Sequence, residues 1–72
     1  MKVYINDKIV TIFKGATVSD AVLTYSKHSY KLLQGGYLSI FDRFGNLTEP
    51  DGSVVEGQHF QLKVTGKKQI NI

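Results

Sequence analysis

The chain contains no cysteine. No disulfide can brace it, and neither a thiolate metal site nor a cysteine-held iron–sulfur cluster can be built from it. It also lacks any apolar run approaching the roughly 20 residues that a membrane-spanning helix needs. The opening MKVYINDKIV is interrupted by Asp7-Lys8, so it has no continuous apolar core of the kind a signal peptide uses. A cytoplasmic protein is the expectation. Dense positive charge is missing too: nine Lys and Arg against six Asp and Glu give a net charge of +3. The lysines are scattered apart from Lys67-Lys68, which fits a solvated surface better than the basic stripe of a nucleic-acid binder. Internal repeats and low-complexity linkers are absent.

With 72 residues the chain makes one domain, 1–72. A domain of this size buries only about 60% of the surface its unfolded chain exposes. Most apolar residues are therefore needed for one small core, and little remains for a deep catalytic cleft.

The apolar residues fall into two periods. Val3 and Ile5 alternate with Lys2 and Tyr4, which predicts a strand over 2–5 with one buried face. Asn6-Asp7 tolerates left-handed backbone angles and supplies a turn. A second strand is expected over 9–13, with Val10 and Ile12 on one face and Ile9, Thr11 and Phe13 on the other, completing a hairpin. Lys14-Gly15 ends it. Thr17 is a helix N-cap, with Asp20 three residues on to return the bond as in a capping box. Val18, Val22 and Tyr25, with Ala21 beside them, form an amphipathic stripe. The stripe weakens at 26–29 before Leu32 and Leu33, and Gly35-Gly36 stops the helix.

Alternation returns over 37–42 and over 59–64. Between them lie a turn at 43–46, a short return strand through Leu47-Thr48, a Pro-Asp-Gly turn at 50–52, an apolar touch-down at Val54-Val55 and a turn at Glu56-Gly57. Residues 66–72 form either a tail or a short added strand through Ile70 and Ile72. A single main helix must then cover one face of a mixed sheet of four to five strands, in the order ββαββ, because only that buries both apolar patterns. The fold class is α+β.

The opening MKVYINDKIVTIFKGATVSDAV resembles the start of the small sulfur-carrier proteins of thiamine and molybdopterin synthesis. It is similar to the TGS domains of larger nucleotide-handling proteins and, more loosely, to plant-type ferredoxins. SVVEGQHFQL resembles the lead-in to the last strand in those families; Gly57 matches their turn glycine, while Gln58 departs from the usual acid. The resemblance covers residue 1 to about 64 and implies a β-grasp, or ubiquitin-like, fold. Fold signatures of this kind say little about chemistry. The ferredoxin activity needs cysteines and is excluded. A sulfur carrier needs a free C-terminal Gly-Gly; here Gly66 is followed by Lys67 and the chain runs on to Ile72, so the resemblance implies at most a degenerate or atypical carrier.

No catalytic constellation emerges. His28 and His59 are far apart in sequence, Asp42 and Asp51 flank turns where Asp bonds local backbone, and Gly35-Gly36 has no phosphate-loop pattern. A non-enzyme without metal or cofactor is expected. In a β-grasp strand order, with the first and last strands central, the helix side takes Val3, Ile5, Val10, Ile12, Leu38, Ile40, Phe60, Leu62 and Val64. The opposite side takes Tyr4, Ile9, Thr11, Phe13, Tyr37, Ser39, Phe41, His59, Gln61 and Lys63. A contiguous aromatic face is costly to leave wet and marks a contact surface for a protein partner or a second copy, with Tyr4, Tyr37, Phe41, His59, Gln61 and Lys63 as its candidate residues. The plainer expectation weighs equally: Ile9 and Phe13 curl under the sheet edge, the 43–50 loop covers Phe41, and cross-strand aromatics only stabilise the sheet. A weaker alternative is RNA, with Tyr4, Tyr37 and Phe41 stacking on bases and Lys2, Lys63, Lys67 and Lys68 meeting phosphates.

Overall fold

A computed structural model describes residues 1–65. The first hairpin pairs β1 (Lys2–Ile5) with β2 (Lys8–Thr11), antiparallel, in the register Val3↔Val10 and Ile5↔Lys8. Only Asn6 and Asp7 remain between the strands, at φ 51° and 69°. Both are left-handed, the mirror-image turn whose twist matches that of the flanking strands. The second strand therefore begins at Lys8, one residue earlier than expected. Ile12 still donates to Met1 O (2.8 Å), but Phe13 has left the sheet.

The expected single helix is two. Thr17 caps α1 (Val18–Tyr25) with a complete capping box: Asp20 N donates to Thr17 Oγ1 (3.2 Å) and Thr17 N to Asp20 Oδ2 (2.9 Å). The next two amides, Val18 and Ser19, donate to Gly52 O and Pro50 O, so a loop rather than solvent closes this helix end. Ser26 breaks the helix. It is extended (φ −166°, ψ 120°), its N–H donates to Val22 O at the end of α1, and its hydroxyl accepts from Ser29 N to start α2 (Lys27–Gln34). Serine suits this position because it caps a new helix better than it continues an old one. The order is thus ββααββ rather than ββαββ. Gly36, at φ +85°, turns the chain out of α2 in the left-handed region.

The sheet has four strands in the order β2-β1-β4-β3, with β3 at Leu38–Asp42 and β4 at His59–Val64. β1 and β4 are parallel; the outer pairs are antiparallel. Leu47-Thr48 is not a strand. It makes one isolated bridge, Phe41↔Leu47, with Thr48 N donating to Ile40 O (2.8 Å). No fifth strand occurs among the described residues, and the suggested strand through Ile70 and Ile72 lies outside them.

The core is continuous from the helices to one sheet face: Val18, Ala21 and Val22 of α1 pack with Val3, Ile5, Val10, Leu38, Ile40 and Phe60. α2 buries no residue fully; Tyr30, Leu32 and Leu33 lean on the cluster from its rim. Val54 is buried, but its neighbour Val55 is exposed. Leu62 is half-buried against the core, whereas Val64, expected beside it, is 68% exposed. The pairing of β4 with β1 stops at Ile5↔Phe60, so among the described strands β3 alone pairs with the far end of β4. No described helix is long and apolar enough to cross a membrane.

Candidate functional site

Side chains alternate across a strand, so burying Val3, Ile5 and Phe60 on one face sends Tyr4, His59 and Gln61 to the other. The parallel register sets Tyr4 directly opposite His59. Their rings stack at 4.4 Å between centroids and 6° between planes. Ile9 lies opposite Tyr4 on β2, which makes a row Ile9–Tyr4–His59 across three strands. A second group sits further along β4. Phe41 is opposite Gln61, and the Lys63 ammonium lies 5.8 Å from the Phe41 ring centroid, within cation–π range.

Tyr37 is far from the Tyr4–His59 pair. Thr65 N donates to Tyr37 O, which places Tyr37 beyond the far end of β4, six residues from His59 or about 20 Å along the strand. Its ring lies over Gly35 instead, so close that a Cβ on Gly35 would meet it at 3.0 Å. Of the six candidate residues, the structure brings Tyr4 with His59 and Phe41 with Gln61 and Lys63, with Tyr37 at the other end of β4 from His59. Ile9 and Phe13 do not curl under the sheet: they are 59% and 63% exposed. Phe41 is half-buried. Among the residues considered for RNA, Lys67 and Lys68 lie outside the described residues.

Beside His59 is an open cleft of about 310 Å³ between the turns at 42–44 and 56–58. Three of its polar side chains, Asp42, Glu56 and Gln58, accept from backbone amides. The Asp42 carboxylate accepts from Phe44 N (2.8 Å), Asn46 N (2.9 Å) and Asn46 Nδ2 (3.3 Å). These bonds, the Asn46 amide first, hold its pKa below the ordinary carboxylate value. Glu56 accepts from Lys2 N (3.1 Å), and Gln58 Oε1 from Val55 N (3.0 Å). The Arg43 guanidinium lies over the Phe44 ring at 5.9 Å. The Asp42 and Gln58 bonds shape the two turns, and the Glu56 bond ties the second turn to β1. No group of three metal-ligating side chains occurs among the described residues.

Two residues of consequence escape a reading by pattern. Asn6 serves as more than a turn residue: its Oδ1 accepts from Leu62 N (2.9 Å), and its Nδ2 donates to Tyr25 OH (3.3 Å). Gln58, the departure from the usual acid, closes its turn by bonding Val55 on both sides, since Gln58 N also donates to Val55 O (3.2 Å). No family model, no curated protein and no solved structure matches this chain.

Proposed function

We propose that the chain is a β-grasp interaction module, non-enzymatic, that binds a protein partner through the open face of its sheet. The strand order β2-β1-β4-β3 with a parallel central pair supports the β-grasp assignment. The observation that carries the interaction reading is the arrangement of the face that no described helix covers: a stacked Tyr4–His59 pair and a Phe41–Lys63 pair on adjoining strands. Aromatic side chains already held by neighbours lose little freedom when a partner covers them, and aromatic-plus-cation surfaces are frequent hot spots. Asp42, Glu56 and Gln58 of the cleft beside His59 are bonded to backbone amides, which supports binding over chemistry.

The test is affinity capture with the full chain and with Tyr4→Ala/Phe41→Ala. The expected result is an unchanged far-ultraviolet circular dichroism spectrum and loss of the captured partner. A partner that binds the double variant as well as the parent would sink the reading. The sulfur-carrier alternative rests on Gly66, outside the described residues; a thiocarboxylate on Gly66, seen by mass spectrometry of the native protein, would replace the present reading.

A further inference from the structure

Glu49 to Gly52 form a β-turn closed by Gly52 N, which donates to Glu49 O (3.2 Å). Pro50 stands at the position such a turn favours. The turn carries the chain toward buried Val54 and also closes the start of α1. Pro50 O accepts from Ser19 N (2.8 Å), and Gly52 O accepts from Val18 N (2.9 Å). Those two amides have no acceptor inside their own helix, so the turn supplies one for each. An isolated bridge, Thr17↔Ser53, fixes the exit.

Asp51 sits in the middle of this arrangement and its side chain takes no part in it. The residue is exposed, and its carboxylate bonds no described residue. The Asp20 and Asp42 carboxylates, by contrast, are committed to backbone amides. Asp51 is also the one aspartate that a glycine follows. A side chain on the following residue shields its backbone nitrogen from the aspartate ahead of it, and glycine has none. A Cβ built on Gly52 would meet only Glu49 O beyond its chain neighbours, at 3.4 Å, so the space beside this residue is open.

The chemistry open to such a pair is ring closure. The Gly52 nitrogen attacks Asp51 Cγ. A C–N bond forms, the Gly52 N–H proton and the carboxyl hydroxyl leave as water, and residues 51–52 become a succinimide. Water then opens the ring at either carbonyl. One opening restores aspartate; the other leaves the chain running through the side-chain carbonyl, as isoaspartate. The water lost is regained, nothing is oxidised or reduced, and no co-reactant is required. The fold opposes the first step. The peptide plane that must turn toward the carboxyl joins Asp51 to Gly52. Its N–H is held by Glu49 O, and the planes on either side are held by α1 through Pro50 O and Gly52 O. Ring closure therefore waits for these bonds to release.

We infer that Asp51–Gly52 is a modification site that couples the covalent form of the chain to the closure of α1. Residue 51 isomerises when the turn at 49–52 opens, and isoaspartate, once formed, keeps the turn from closing the helix again. The isoaspartyl link adds one carbon to the backbone between the two acceptor carbonyls, so Pro50 O and Gly52 O no longer reach Ser19 N and Val18 N together. The capping box of Thr17 and Asp20 is left to hold the helix start alone. No residue of the aromatic pairs is involved.

The test incubates the full chain at neutral pH and body temperature, beside the same chain in urea and a free peptide of residues 46–57. Isoaspartate is counted by a carboxyl methyltransferase specific for it and located by fragmentation mass spectrometry. It is expected at residue 51 alone, and to form about tenfold or more slowly in the folded chain than in urea or in the peptide. Thr17→Ala removes the capping box and should bring the folded rate toward the unfolded one. Should that variant not fold, urea below the unfolding transition makes the same comparison on the unaltered chain, and the rate should climb before the circular dichroism changes. Gly52→Ala, at a residue outside the left-handed region, should slow the reaction severalfold in every sample. The separated isoaspartyl chain, labelled with nitrogen-15, should exchange its Val18 and Ser19 amides about tenfold or more faster than the unmodified chain, with β1 and β4 unchanged. Equal rates in the folded and urea-unfolded chain would overturn the inference. So would isoaspartate spread over the other aspartates, a folded Thr17→Ala chain that reacts no faster, or unchanged exchange at Val18 and Ser19 in the isoaspartyl chain.

Discussion

The two faces of the sheet are built from the same strands and differ in what covers them. On the covered face Val3, Ile5, Val10, Ile40 and Phe60 are no more than 6% exposed and interlock with Val18, Ala21 and Val22 of α1. On the open face Tyr4, His59, Phe41 and Gln61 are only half-buried, by one another and by their strand neighbours. The first face supplies the transfer of apolar area out of water on which a domain of this size depends. The second supplies pairwise contacts, each worth a fraction of that. Core and open face are thereby divided between alternate residues of one strand: in β4, Phe60 belongs to the core and its neighbours His59 and Gln61 to the surface.

The sharpest way to break this division is to remove a side chain on each side of it. Phe60→Ala empties the centre of the core and is expected to cost about 3–5 kcal/mol. That is comparable to the whole stability of a domain this small, so the variant should be largely unfolded by circular dichroism at room temperature. Asn6→Ala is expected to cost about 1–3 kcal/mol, because it removes two side-chain hydrogen bonds that tie the hairpin to β4 and α1. It also places alanine at φ 51°. Asn6→Gly separates the two causes: it accepts the left-handed angle but restores neither bond, so it should recover only part of the loss in urea denaturation.

The alternation of Val3, Ile5, Leu38, Ile40 and Phe60 was enough to find the strands and the covered face, because a buried face imposes period two on the chain that makes it. Thr17 and Asp20 announced the helix start for an equally local reason. Ser26 was harder. The stripe visibly weakens there, but whether a helix frays or restarts depends on where the next apolar residues must land, and Leu32 and Leu33 are placed by the sheet rather than by their neighbours in sequence. Val64 follows the alternation and is still exposed, since the extent of β1 beside it is a matter of register. The open face was legible as a set of residues and not as an arrangement: the Tyr4–His59 stack depends on parallel pairing between distant segments, and the placing of the Tyr37 ring on its close approach to Gly35. The side-chain bonds of Asn6 and Gln58 leave no mark on hydropathy at all.

Smaller effects sharpen the comparison from the open side. Tyr4→Ala removes the stack on His59 and is expected to cost about 1 kcal/mol, read as a modest drop in the urea midpoint. A loss approaching that of Phe60→Ala would mean that the open face is a second core and that the division is false. The smallest effect belongs to Asp42. Its carboxyl is held below its ordinary pKa in the folded chain by the Asn46 and Phe44 bonds, so the charged form is favoured by folding. A depressed folded value contributes stability above the unfolded pKa, and that contribution is lost as pH falls through the folded one. Nothing should change between neutral pH and the top of the carboxylate range. Below that range the turn at 42–46 should loosen, and the amides of Phe44 and Asn46 should begin to exchange faster. Asp42→Asn, which cannot carry the charge, should show the looser turn at neutral pH and no further response to acid. If the acid response persists in Asp42→Asn, the turn is held by something other than this carboxylate, and the wall it gives to the cleft beside His59 has another origin.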